Sequence, residues 1–187
     1  MKPFTKHELL GLSVIFAVLI IMAVPNFVKS IQRARDVTRK EDLGRVTNML
    51  GSFLGSYKKF PESTPDGKII ACFKDGIEVD VDPNKDGKLD VDFVPCEWSG
   101  KSFIGMLPGD PHGNRGVSYR YVSNGRRYQL FASLEAHDDD EYRENIEVRN
   151  LMCGTRACNA GRGYSNTPLD KTLEEYEDEL YEQSLKK

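Results

Sequence analysis

A basic surplus is missing from this 187-residue chain: 26 Lys and Arg stand against 29 Asp and Glu, a formal net charge of −3. A dedicated nucleic-acid binder shows a concentrated basic surface, so that class is excluded first. Histidine is scarce, with only His7, His112 and His137. No Ser-His-Asp set, phosphate-binding loop or pair of catalytic carboxylates emerges, so the residues offer no enzyme mechanism. A second long apolar run is also missing, which argues against a polytopic membrane protein. Cysteine is limited to four residues, and none of their spacings is the C-x2-C type that a zinc site built from all four thiolates would want. Aromatic residues, by contrast, make up 10% of the chain, too many for a wholly disordered one.

One long hydrophobic run is present. Residues 9–28 (LLGLSVIFAVLIIMAVPNFV) carry no charge in twenty positions. At about 1.5 Å per residue they span about 30 Å, the hydrocarbon thickness of a bilayer. A cleavable signal has a shorter apolar core followed by small residues at a cut site. A buried core helix shows a polar stripe. Neither fits, so the run reads as a transmembrane helix. Lys2 and Lys6 precede it, whereas Lys29, Arg33, Arg35, Arg39 and Lys40 follow, a count that alone would leave the following segment in the cytoplasm. Four cysteines argue instead for the oxidising outside, as two disulfides. Three pairings exist, and Cys72–Cys96 with Cys153–Cys158 is the one expected.

Glu8 stands at the edge of the span, in Phe4-Thr5-Lys6-His7-Glu8-Leu9-Leu10. A carboxylate beside an apolar environment is costly unless paired. This N-terminus resembles that of type IV pilins and type II secretion pseudopilins. The resemblance implies a leader, residues 1–3, cut by a prepilin peptidase between Pro3 and Phe4, with Pro3 where the family usually has Gly. It implies methylation of the new terminus at Phe4, and pairing of Glu8 with a neighbour's terminus during assembly. Pro25 matches the family's helix-bending proline. Type IV pilus subunits and the major pseudopilins of type II secretion both fit the resemblance, and it does not separate them.

After Pro25 the pattern turns amphipathic and residues 29–60 continue it, with Val28, Ile31, Val37, Leu43, Val46, Met49, Leu50, Phe53, Leu54 and Tyr57 mostly at helical spacings. Charges from Arg33 to Arg45 fill the other side and read as a solvated face. One helix from about Leu9 to Tyr57 would be about 70 Å long, so its second half needs a domain to pack on. Residues 61–167 carry strand signals. Val117–Val122 and Tyr128–Leu134 flank Asn124-Gly125, the strongest short hairpin signal. The Asp110-Pro111-His112-Gly113-Asn114 turn before this hairpin is similar to a pseudopilin "DP-aromatic-GN" turn, with His112 in the aromatic place. The fold expected is α+β: a long N-terminal helix packed on a small antiparallel sheet.

The segment from Asp80 to Asp92 holds the most specific chemistry. Asp82, Asn84 and Asp86 alternate before Gly87, the D-x-N-x-D-G core of a calcium loop. Alternating short oxygen ligands converge on one point, the Lys88 carbonyl turns inward, and Asp90 falls at the ninth position. Phe93 occupies the twelfth, where an EF-hand has Glu, so a helix-less Ca²⁺ loop completed by Asp92 or Asp80 is expected. His137-Asp138-Asp139-Asp140 is a second, weaker calcium candidate that the family resemblance raises. Residues 168–187 hold Leu169, Leu173, Tyr176 and Leu180 among acids and read as an acidic amphipathic helix, packed on its own domain or reaching a neighbour. The expected whole is a structural subunit, not an enzyme. It waits in the membrane as a single-pass precursor, then joins copies of itself in a helical filament at the cell surface with the help of assembly machinery. A singly anchored, calcium-stabilised surface domain that never polymerises is the alternative of another class.

Overall fold

The computed structural model describes residues 5–76 and 91–186. Helix α1 (Lys6–Tyr57) is continuous over 52 residues, about 78 Å at 1.5 Å per residue. It begins earlier than Leu9 because Thr5 and Glu8 close a capping box. The Glu8 carboxylate accepts from the Thr5 N–H at 2.8 Å, and the Thr5 hydroxyl accepts from the Glu8 N–H at 3.4 Å. Pro25 lies inside the helix and has no N–H to give the Ile21 carbonyl. The helix stops at Lys58, whose left-handed backbone (φ 58°) turns its N–H back to the Leu54 carbonyl at 2.9 Å.

Short strands follow. β1 (Glu62–Ser63), β2 (Ile69–Cys72) and β3 (Val94–Pro95) form an antiparallel sheet in that order. β4 (Lys101–Ser102) and β5 (Gly105–Met106) pair as a ribbon. β6 (Arg120–Ser123) and β7 (Tyr128–Ala132) make the expected hairpin, with Ser123 opposite Tyr128. Its turn is residues 124–127: Asn124 Oδ1 accepts from the N–H groups of Arg126 and Arg127 at 3.1 and 2.9 Å, and Gly125 takes the positive φ of 81°. After the single turn α2 (Glu144–Glu147), β8 (Met152–Cys153) pairs with β9 (Arg156–Ala157). β10 (Ala160–Gly163) then adds to the free edge of β7, so β7 is the central strand of a second sheet and all five of its residues are buried. The chain closes with α3 (Leu173–Leu185).

The α+β plan is therefore present: a long N-terminal helix followed by small antiparallel sheets. Leu43, Val46 and Leu50 of α1 pack against Phe60, Ile69, Tyr119, Tyr121, Tyr128 and Leu130 in the main core. Each such side chain contributes about 1.5–3 kcal/mol by leaving water. Phe60 sits edge-on to Tyr128 and Tyr164, at 4.9 and 4.8 Å between centroids. A second cluster, around Phe131, Ile146 and the Cys153–Cys158 pair, lies on the other side of β7.

Two sequence expectations need correction. The charges from Arg33 to Arg45 are not all solvated: Asp36 and Arg39 are 0% exposed and Asp42 is 5% exposed. They continue the buried stripe of α1 backwards from Leu43. The C-terminal helix begins at Leu173 and not near residue 168, because Thr172 and Glu175 form a second capping box. Leu169 lies outside the helix and packs on the second core cluster.

Candidate functional site

The first half of α1 has no packing partner among the described residues. From Leu9 to Val28, fourteen large hydrophobic side chains are each at least 46% exposed. Soluble monomers rarely expose contiguous apolar patches beyond a few hundred Å². Both polar side chains in this stretch are folded back onto the helix: Ser13 donates to the Leu9 carbonyl at 2.8 Å and Asn26 to that of Met22 at 3.3 Å. No side-chain polar group is therefore left without a partner in an apolar medium. By length and composition, α1 is the one helix among the described residues able to cross a membrane.

Glu8 ends this surface. Its carboxylate is engaged with its own Thr5, through the backbone N–H and the hydroxyl at 2.8 and 2.9 Å. In the isolated chain it caps the helix, and it is exposed. Pro3 and Phe4, the expected processing residues, lie outside the described residues.

The second half of α1 is locked to the sheet by an ion cluster that the sequence reading missed. Arg39 donates twice to Asp110, from Nε at 2.7 Å and from a terminal nitrogen at 3.0 Å. Its other terminal nitrogen donates to Asp36 and to Glu135, both at 2.8 Å. Asp36 in turn accepts from the N–H groups of Glu135 and Ala136, at 2.9 Å each. Arg35 closes the cluster with a two-pronged bond to Glu135 at 2.8 and 2.5 Å. Burial opposes the charge on Arg39, but the bonds to Asp110 and Glu135 outweigh it and raise its pKa. The Arg35 bonds, followed by those of Arg39, hold the Glu135 carboxyl down at about 2. One signal in the sequence pointed here: 36, 39, 43, 46, 50 and 53 keep a three-four spacing, so Asp36 and Arg39 occupy stripe positions.

His112 stands at the margin of this cluster. Its backbone N–H donates to Asp110 at 2.7 Å, and its ring Nδ1 lies 3.2 Å from Glu135 without forming a hydrogen bond. Burial lowers its pKa. It is a buried turn residue. Among the second calcium candidates, Asp138 pairs with Arg33 at 2.9 Å and Asp139 with Lys40 at 2.8 Å. These acids join the loop after β7 to α1. Among the described residues, no three His, Cys, Asp or Glu side chains are grouped to hold a metal.

Both expected disulfides are formed, Cys72–Cys96 and Cys153–Cys158, with Cα separations of 5.2 and 5.1 Å. Cys72–Cys96 ties together the two ends of the acidic segment. Phe73 and Phe93 meet at 5.7 Å just inside the bridge and both pack on Phe103, at 5.8 and 5.3 Å. Asp80, Asp82, Asn84, Asp86, Lys88 and Asp90 lie outside the described residues, while Asp92 is described and exposed. No family model matches the chain, and no curated protein or solved structure matches it.

Proposed function

We propose that the chain is a structural subunit of a type IV pilus or pilus-like filament. It is held first in a membrane by the apolar half of α1 and then assembled with copies of itself through that same half. A major pseudopilin of a type II secretion-like system is the closest variant of this reading. The observation that supports it most is the two-part character of α1. One half is bare and apolar; the other is fixed to a disulfide-bearing domain by a buried ion cluster. A helix that only anchored a surface domain would not need to run unbroken into it and be bonded to it by buried ions. The N-terminal motif adds Glu8 as the residue that sets register, by exchanging Thr5 for a neighbour's free terminus. Processing before Phe4, calcium in the segment 80–92 and a cell-surface location belong to the same proposal.

Glu8→Ala tests it. In the isolated chain the change removes the Glu8 half of an exposed capping box, a local loss at the helix end. Membrane insertion is expected to stay normal while filaments disappear from electron micrographs. Unchanged filaments, or none from the parent chain, would contradict the proposal and favour the singly anchored surface domain.

A further inference from the structure

Helix α3 has two unlike sides. Leu173, Tyr176 and Leu180 face the domain: Leu173 is buried, and the Arg127 guanidinium lies 5.1 Å over the Tyr176 ring. The opposite side carries Glu174, Asp178, Tyr181, Glu182 and Leu185, at the spacings of one helical face. All five are exposed, and the two hydrophobic ones are strongly so, Tyr181 at 66% and Leu185 at 69%. Glu175 is used by the helix cap and Glu179 by Lys171, whereas Glu174, Asp178 and Glu182 have no ion-pair partner among the described residues.

A surface of matching character exists near the middle of α1, where the helix enters the domain. Lys29, Arg33 and Val37 lie at successive four-residue steps on α1, and all are exposed. No acidic residue occurs between Glu8 and Asp36. Lys29 has no ion-pair partner among the described residues. Arg33 has one, Asp138, but both side chains are about two-thirds in water, so that pair is weak and open to exchange. The two surfaces cannot meet within one molecule. The hairpin turn that holds Tyr176 is bonded to Phe60, just beyond the end of α1, where the Phe60 N–H donates to the Gly125 carbonyl at 2.7 Å. Arg33 lies about 36 Å back along the helix axis at 1.5 Å per residue.

We propose that the outer face of α3 docks on the Lys29–Arg33–Val37 ridge of a second copy of this chain, head to tail. The inference rests on the filament reading and names the contact that gives the filament its direction. Asp178 and Glu182 meet the two cations, while Tyr181 and Leu185 cover Val37. Because the two patches differ, the contact is heterologous and does not pair two copies as a closed dimer; with a rotation that closes no ring it repeats as an open helix. Opposite charge at this distance from the apolar half also selects one register among the many that a greasy stripe alone allows.

Charge reversal in the full-length chain, produced in cells that assemble it, tests the contact. Three variants are compared: Asp178→Lys with Glu182→Lys, Lys29→Glu with Arg33→Glu, and all four changes together. The positions are exposed, and intact mass with both disulfides confirms that each variant folds. Each reversal is expected to lower filament yield about tenfold or more, and the fourfold swap to restore it to within about threefold. An α3 reversal with unchanged yield, or a swap that restores nothing, overturns the docking and leaves the filament reading standing when the parent chain assembles. A parent chain that forms no filaments overturns both.

Discussion

Arg39 is the residue on which the junction between helix and sheet depends. It neutralises Asp36, Asp110 and Glu135 in a site that excludes water, and removing it leaves buried carboxylates with too little positive charge. Arg39→Met is expected to cost about 3–5 kcal/mol, measured by denaturant unfolding of the full-length chain in detergent micelles. Val37→Ala, one face away and exposed, should stay within about 0.5 kcal/mol. Glu135 adds a pH dependence. Its carboxyl titrates at about 2 in the folded chain against an ordinary 4.5, so between those values the unfolded chain binds more protons. The stability it contributes is complete above pH 4.5 and is lost as pH falls toward 2. Full loss is on the order of 3 kcal/mol. Glu135→Gln should flatten that acid limb of the stability curve; an unaltered acid limb would contradict the assignment. These residues were hard to read in the sequence because a run of mixed charge looks solvated. Only the three-four spacing carried the stripe back from Leu43 to Arg39 and Asp36, and the partners Asp110 and Glu135 lie about 70 and 100 positions away.

Elements with a local cause were legible, and those created by distant contacts were not. The β6–β7 hairpin announced itself through Asn124-Gly125, whereas apolar spacing alone put the helix starts near Leu9 and residue 168, and it is the T-x-x-E boxes Thr5 to Glu8 and Thr172 to Glu175 that set them at Lys6 and Leu173. β10 gave no such signal. Its sequence is Ala-Gly-Arg-Gly, poor in strand-forming residues. Its glycines are there because the strand runs close to its neighbours: a Cβ at Gly161 would meet the Leu130 carbonyl oxygen at 2.6 Å, and one at Gly163 that of Thr167 at 2.5 Å. The disulfide pairing was legible from spacing, since each cysteine joins the next one along the chain. Cys72–Cys96 closes the acidic segment at a loop-entropy contribution of about 3 kcal/mol, with Phe73 and Phe93 packed beside it. Ends fixed in this way would lower the entropy cost of the proposed cation uptake. Millimolar Ca²⁺ is therefore expected to raise the melting temperature by several degrees, and a chelator to reverse the rise. A melting curve indifferent to both, with no metal in the purified chain, would remove calcium from the account.

Across the whole molecule, the distribution of surface is the main finding. Apolar residues without partners are gathered at one end of a helix about 78 Å long, and the folded domain at the other. The twenty uncharged positions made the first part plain in the sequence. What the sequence left open was how the two halves are joined, because that depends on the buried ions and on β7 being covered from both edges. One continuous helix with one bare end suits two successive surroundings, lipid and then a bundle of like helices. A photo-crosslinking residue placed at Ile15, in the middle of the bare half, reports directly on which surroundings it meets in living cells. The account predicts a ladder of dimers, trimers and longer multimers in the material sheared from the cell surface. Monomer crosslinked to lipid alone, with no ladder in any fraction, would contradict it.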